Sequence, residues 1–418
     1  MKILETIKRN NYYKNITILA SGTIISHIIF LVTLPIITRL YTPDMFGVLT
    51  IYMSIMGLIS VISALKYELA IPNPKSNQKA YFLAILSFLI LFVSIFIYFI
   101  LGKLLTHFNL LQDKYNILYL VLIGIFFTMV YDILTFLNIR EYKYKEITKT
   151  KITRSLSLSI GQISLSFFGI SYYGLIIGEI LGRFSGNIKL FQSIKDNLKK
   201  YIFRFNFSKL VIVAKEYKEY PLFTAPAWLI NNSILHIIPL FIVYQYGVKI
   251  AGFYFMAYKV MSIPELILSQ SVNQAFTGSF SEMLRKNNKN EAYTLFQNTV
   301  KKMFFFALIA SPLLGLLLFY FFPLIFGEKW HISGTLSLYM IPLFISQFTM
   351  SSMYIALNLL GKQKIQFSWD IIRFLSILFL IMLTIFYKYS IEEFLLFYSI
   401  FIGFNYFLLY VIIKGNIE

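Results

Sequence analysis

The chain has 418 residues, of which 58% are hydrophobic and only 14% charged, with a mean hydropathy of +0.69. A water-soluble domain carries about 25% charged residues, so this composition excludes an ordinary soluble protein. The formal charge of +19 does not point to nucleic acid, because the bases fall between apolar runs rather than along one aromatic-studded face. The absence of cysteine excludes disulfides and thiolate metal sites.

Taken in order, apolar runs stand at 15–38, 46–65, 80–101, 115–137, 152–170, 172–192, 220–243, 250–277, 300–322, 334–358, 366–387 and 391–413. Each lies near the ~20 residues needed to cross a ~30 Å hydrocarbon core. Backbone amides find no water in lipid, so every span is expected to be helical; an outer-membrane barrel would instead show alternating segments of about ten residues. The first run follows Lys2, Lys8, Arg9 and Lys14 like a signal peptide. It is too long for one and no small-residue cleavage site follows, so it reads as a retained span.

The bases segregate. One set of connections holds Lys66, Lys75 and Lys79, then Arg140 through Arg154, Lys189 through Lys218, Arg285 through Lys302, Lys362, Lys364 and Lys414, besides the N-terminal group. The alternate set holds only Arg39, Lys103, Lys114, Lys249, Lys329 and Lys388. That asymmetry places both termini in the cytoplasm and requires an even number of spans. The longest polar connection, Lys189 to Glu219, divides the chain near its middle. Its Lys199-Lys200-Tyr201-Ile202-Phe203-Arg204-Phe205 stretch reads equally as a segment lying on the anionic inner leaflet and as a linker with snorkelling side chains. The expected division is a lobe over 1–192, an amphipathic cytoplasmic linker over 193–219 and a lobe over 220–418.

The halves share a start pattern. His27-Ile-Ile, Pro35 and Phe46-Gly47 in the first have counterparts in His236-Ile-Ile, Pro239 and Ala251-Gly252 in the second. An even number of spans in each half makes such a repeat parallel rather than inverted. Pro35, Pro239, Pro264, Pro312 and Pro342 fall within spans, as packing kinks or as breaks lining a polar passage. His27 and His236 near mid-span suit hydrogen bonding between helices or proton relay.

Charges at membrane depth cost about 2.5–3.5 kcal/mol each on insertion scales, so they face protein or water. Glu179 and Arg183, four apart, and Asp370 and Arg373, three apart, each share a helix face and are expected to form structural ion pairs. Lys259 and Glu265 are six apart and do not pair locally, which directs them to another helix, water or a ligand. Glu265, beside Pro264, and Asp132, near the cytoplasmic end of its span, are candidates for coupling to a cation gradient. Asn231 and Asn232 offer uncharged donors of the kind that bind sugar hydroxyls.

Several segments carry a resemblance. Leu34-Pro35-Ile36-Ile37-Thr38-Arg39-Leu40-Tyr41-Thr42-Pro43, Phe46-Gly47 and Lys66-Tyr67-Glu68-Leu69-Ala70-Ile71 are followed by Tyr220-Pro221-Leu222-Phe223, Ala251-Gly252-Phe253-Tyr254, Met261-Ser262-Ile263-Pro264 and Leu360-Gly361-Lys362-Gln363-Lys364. In this order they resemble the bacterial lipopolysaccharide and capsule oligosaccharide flippases of the multidrug/oligosaccharidyl-lipid/polysaccharide exporter superfamily. The resemblance implies an all-α polytopic protein of the cytoplasmic (inner) membrane, with twelve helices in two six-helix lobes around a central cavity. It implies a polyprenyl-diphosphate-linked oligosaccharide as cargo, membrane lipid as surroundings, and a polysaccharide polymerase and chain-length regulator as pathway partners. A cationic cavity is implied too, for which Arg39, Lys66 and Lys259 are the basic candidates. No cofactor, metal or catalytic residue is expected, since no bond need break and there is no GxxxxGK[ST] motif. The rival readings are a drug/cation antiporter of the same superfamily, a flippase for cell-wall precursor, a membrane polysaccharide polymerase and a non-transporting scaffold.

Overall fold

The computed structural model describes residues 2–108, 117–203 and 206–417. Lys114, Arg204 and Phe205 lie outside the described residues, as do the side chains of Lys2, Lys8, Arg9 and Lys14. All regular structure among the described residues is helical. The order is α1 Lys2–Leu40, α2 Pro43–Ser60, α3 Asn77–His107, α4 Leu118–Arg140, α5 Tyr144–Ser166, α6 Tyr173–Ile202, α7 Phe207–Glu216, α8 Ala225–Tyr246, α9 Val248–Arg285, α10 Lys289–Phe326, α11 His331–Tyr339, α12 Ile341–Met350, α13 Ile355–Leu359, α14 Gln363–Tyr387 and α15 Ile391–Ile417.

Nine of these helices are long and apolar enough to cross a membrane, and a tenth span arises if the pair Glu328–Tyr339 and Ile341–Leu359, bent by 57°, counts as one. The other two expected spans fall on α5 and α6, continuous helices of 23 and 30 residues. Lys145, Glu146, Lys149, Lys151 and Arg154 on α5, and the charges of α6, make them more polar than the rest. The protein is thus a polytopic all-α membrane protein. Proline placement explains part of its shape: Pro35, Pro239, Pro264 and Pro312 are helix-interior. Pro342 instead sits in the first turn of α12, just past the bend, where its missing N–H leaves no bond unmade.

The chain separates into two compact units, one of residues 1–41 and 48–236, the other of residues 42–47 and 237–418. The division falls inside α8, after His236, rather than in the polar linker. In the first unit α5 and α6 pack with backbones in close approach, because α6 carries glycine at every fourth position, Gly174, Gly178, Gly182 and Gly186. A Cβ at Gly178 would run into Gln162, and one at Gly182 would meet Leu158 and the carbonyl of Arg154. The linker helix α7 folds back on the same unit. Leu210 and Val213 are buried, the Tyr67 hydroxyl donates to the carbonyl of Ala214 at 3.1 Å, and Lys79 meets Glu216 at 2.7 Å.

Residues 42–47 group with the second unit through a quasi-symmetric contact. A Cβ on Gly47 would overlap the backbone of Val248, and a Cβ on Gly252 the backbone of Pro43. The same sequence offset relates Pro43 to Val248 and Gly47 to Gly252, the glycines matched between the two halves. Phe46 completes the contact by packing edge-on against Trp330, ring centroids 5.0 Å apart. Since backbone cannot yield as a side-chain tip does, Gly47→Val or Gly252→Val is expected to destabilise the protein by about 1–3 kcal/mol or more. Gly403→Ala, where nothing lies within 4 Å, is the matched control; thermal unfolding in detergent compares the three.

Candidate functional site

The first unit gathers six of its charged residues, Lys66, Glu68, Asp132, Arg154, Glu179 and Arg183, into one cluster. On α6 a polar stripe runs beside the glycine stripe: Glu179, Arg183 and Asn187 are all buried. Arg183 Nη2 pairs with Glu179 Oε1 at 2.8 Å, and its Nη1 donates to Thr128 Oγ1 on α4, also at 2.8 Å. Arg154 on α5 reaches the same Glu179 oxygen at 3.4 Å and lies over the Tyr131 ring at 5.4 Å. Asn187 Nδ2 donates to the carbonyl of Phe127 at 2.9 Å. Asp132 on α4 lies close enough to Lys66, Arg183 and Arg154 for their charges to act on it.

Lys66 reaches the cluster from the turn after α2. Leu65 and Lys66 adopt positive φ of 51° and 61°, a conformation costing non-glycine residues of order 1–3 kcal/mol each. The strain is held by contacts. Lys66 Nζ lies 3.4 Å from Glu68 Oε1 with both side chains nearly inaccessible, and 4.8 Å above the Trp228 ring on α8. Burial pushes the Glu68 carboxyl above its ordinary value, with the Lys66 ammonium pulling the other way and the Asp132 charge adding to the rise. The bases Lys66, Arg154 and Arg183 are thus balanced by Glu68, Asp132 and Glu179. Several buried polar atoms around this cluster have no hydrogen-bond partner among the described residues: Tyr52 Oη, Glu68 Oε2, Arg183 Nε and Asn187 Oδ1.

Three of the other basic and amide candidates are placed differently. Arg39 is exposed at the end of α1, where Nη1 donates to the carbonyl of Pro35 at 3.0 Å, a last-turn cation on its own helix terminus. Arg39 and Lys66 flank the 18-residue α2, which at 1.5 Å per residue is about 27 Å long, too far apart to grip one diphosphate. Asn232 turns its amide back to the carbonyl of Trp228 at 2.9 Å, one turn from the ring that carries Lys66. Asn231, on the same helix, is half-buried.

The second unit meets its polar groups with hydroxyls and amides. Glu265 on α9 is buried and lies beside Ser351, in the short 3-10 turn Ser351–Met353 between α12 and α13. One stripe of α9 continues this contact. Ser269 Oγ lies 3.1 Å from Ser351 Oγ, Ser352 Oγ donates to the carbonyl of Ser269 at 3.1 Å, and Asn273 Nδ2 donates to the carbonyl of Ser352 at 3.0 Å. A broken helix at membrane depth requires such partners. Asp370 pairs with Arg373 at 3.1 Å and accepts from the Tyr354 hydroxyl at 2.6 Å, while Arg373 stacks over Trp369 at 4.4 Å. The charges of Glu265 and Arg373 both act on Tyr258 and Tyr406, which joins the two groups. Lys259, half-buried, lies on α9 ahead of them.

Sequence reasoning did not single out Arg154, Tyr52, Ser269, Asn273, Ser351 or Tyr354. A signal existed for some of them. Glu265, Ser269 and Asn273 are spaced by four, as are Glu179, Arg183 and Asn187, and a four-residue polar period in an apolar helix marks one buried face.

Comparison with known proteins shows first a shared fold and then the family. Solved structures of MOP superfamily transporters share the fold. An inward-facing multidrug resistance MATE family transporter superposes with a TM-score of 0.60 at 12% identity, covering 96% of this chain and 93% of that one. A mutant of the MATE transporter VcmN of Vibrio cholerae gives 0.57 at 12% identity, covering 95% and 96%. A MOP superfamily transporter of Pyrococcus furiosus gives 0.56 at 12% identity, covering 97% and 95%. Among curated protein sequences none matches. Residues 36–335 match the model of the polysaccharide biosynthesis protein family, and the chain belongs to that family.

Two measurements test the cluster. Arg183→Met removes an ion pair of Glu179 shorter than its contact to Arg154, so it should cost about 3–5 kcal/mol, most of it recovered in Glu179→Met/Arg183→Met. Unfolding of the three proteins in detergent reads this directly. Glu68 gives a pH dependence. With its folded-state value raised above the ordinary 4.5, its contribution to stability is complete below the unfolded-state value and is lost as pH rises through the folded one. Glu68→Gln should therefore flatten the fall in melting temperature from acid towards neutral pH; an unchanged slope would show that Glu68 is not its source.

Proposed function

We propose that the protein is a flippase that carries polyprenyl-diphosphate-linked oligosaccharide repeat units from the cytoplasmic to the outer leaflet of the inner membrane by alternating access. In this reading it has twelve spans, both termini are cytoplasmic, and the lobes of residues 1–192 and 220–418 are joined by the linker of residues 193–219. The observation that carries it is the family membership over residues 36–335, which ties this transporter fold to polysaccharide synthesis. The buried cluster supplies a physical rationale. An unpaired hydroxyl costs several kcal/mol in an apolar medium, so a sugar-diphosphate headgroup needs polar partners along its path while its prenyl tail stays in lipid.

In such a cycle the protein makes and breaks no covalent bond. Lys66 and Arg183 hold carboxylates in the structure described here, and a diphosphate is the better partner for both because it offers more charge and more acceptor oxygens. Glu68 and Glu179, displaced from their bases, would then take up protons or face water. Asp132 and Glu265 are the acids proposed for coupling to a cation gradient, in which one charge moved through 100 mV provides about 2.3 kcal/mol. Asn231, Asn232 and Lys259 are proposed as further cargo contacts, and Arg39 as a contact at the opposite end of α2. A polymerase and a chain-length regulator would receive the exported units.

A cation-coupled antiporter is the second reading, favoured by the structural neighbour named as a multidrug resistance transporter. The two readings part in cells. Lys66→Ala, removing one charge-assisted contact worth about 1.5–3 kcal/mol, should weaken cargo binding about tenfold or more and reduce surface polysaccharide at unchanged protein level. Arg39→Ala should reduce it as well. Intact polysaccharide with altered drug resistance in a deletion strain would establish the antiporter instead. Glu265→Gln should abolish the pH dependence of transport; if that dependence persists, Glu265 is not the coupling acid.

A further inference from the structure

Inside the second unit an apolar cavity of about 210 Å³ lies between α9, α10 and α12. Its floor is formed by Met261, Phe344 and Phe348, which are 1%, 1% and 3% exposed. Pro264 closes one side, and Ala310 and Ser311 of α10 form the near wall. Ser311 supplies the one hydroxyl among the lining residues, and its Oγ has no hydrogen-bond partner among the described residues. Leu314 completes the lining, and Phe306, Leu313 and Leu317 are also part of the exposed apolar face of α10, so the cavity opens onto the surface that this membrane protein presents to lipid.

These properties select an occupant. A sugar or phosphate would find no partner there beyond a single hydroxyl, and a water molecule needs two to four polar contacts to reside in a cavity. A void of this kind left empty forfeits dispersion contacts along its whole lining. An alkyl chain satisfies the walls and needs nothing else. The alkyl chains that the α10 surface meets at overwhelming concentration are those of the bilayer, and occupancy follows concentration.

We propose that this cavity is a binding site for one acyl chain of a membrane phospholipid. The inference is independent of the transport reading. Its consequence for the fold is local: the chain would pack against the Pro264 turn of α9, one residue from buried Glu265 and beside the α12 segment that leads to Ser351.

The test uses the full-length protein in phosphatidylcholine vesicles containing a phosphatidylcholine with a mid-chain diazirine. After irradiation and digestion, adducts are mapped by mass spectrometry. Lipid around the protein will label exposed Leu316 and Tyr320 in any case. A chain inside the cavity will also label Met261 and Phe344, which bulk lipid does not reach. Ala310→Trp should reduce the Met261 and Phe344 adducts at least fivefold while leaving those at Leu316 unchanged, and the smaller Ala310→Leu should act in the same direction if the tryptophan variant does not fold. No adduct at Met261 or Phe344, or adducts insensitive to both variants, would overturn the site. Loss of these adducts on adding a few mole per cent of unlabelled polyprenyl phosphate would overturn the phospholipid assignment in favour of a prenyl chain.

Discussion

A polar group inside hydrocarbon has no water to fall back on, and the architecture of this protein is organised around answering that demand from within the chain. The answer takes the form of helical stripes. Glu179, Arg183 and Asn187 occupy one face of α6, next to the glycines that bring α5 close enough for Arg154 to share the Glu179 carboxylate. Glu265, Ser269 and Asn273 occupy one face of α9 and serve the turn at Ser351 and Ser352. In both cases the four-residue period of a helix turns a few isolated polar residues into a continuous ladder.

The two units apply the same rule with different chemistry. The first balances full charges, with Lys66, Arg154 and Arg183 against Glu68, Asp132 and Glu179. The second holds the buried ion pair of Asp370 with Arg373 and places tyrosine, serine and amide groups around its buried acids. A balanced ionic cluster is a weak contributor to stability, because desolvation offsets much of the Coulomb gain. In the transport cycle proposed above, this cluster and the two strained residues Leu65 and Lys66 would form a site whose partners exchange.

The fold and the family carry different weight. At 12% identity the structural neighbours establish a shared backbone arrangement and leave cargo undetermined, since one fold hosts many functions. The family match over residues 36–335 is what links the chain to polysaccharide synthesis.

Much of this was legible in the primary structure. Span length and the segregation of lysine and arginine follow from hydrocarbon thickness and the cost of charge within it, both local properties of the chain, so the helical, polytopic character and most spans were readable. The pairings of Glu179 with Arg183 and of Asp370 with Arg373 were readable as well, because helix geometry alone brings residues three or four apart together. What the tertiary structure decided were the contacts between helices distant in sequence. It joined Lys66 to Trp228, Glu265 to Ser351 and Arg154 to Glu179, set Arg39 apart from Lys66 by the length of α2, and paired Gly47 and Gly252 with each other's neighbouring backbone. Sequence periodicity assigns a residue to a face of its own helix; which neighbour that face meets depends on the packing of all the helices together.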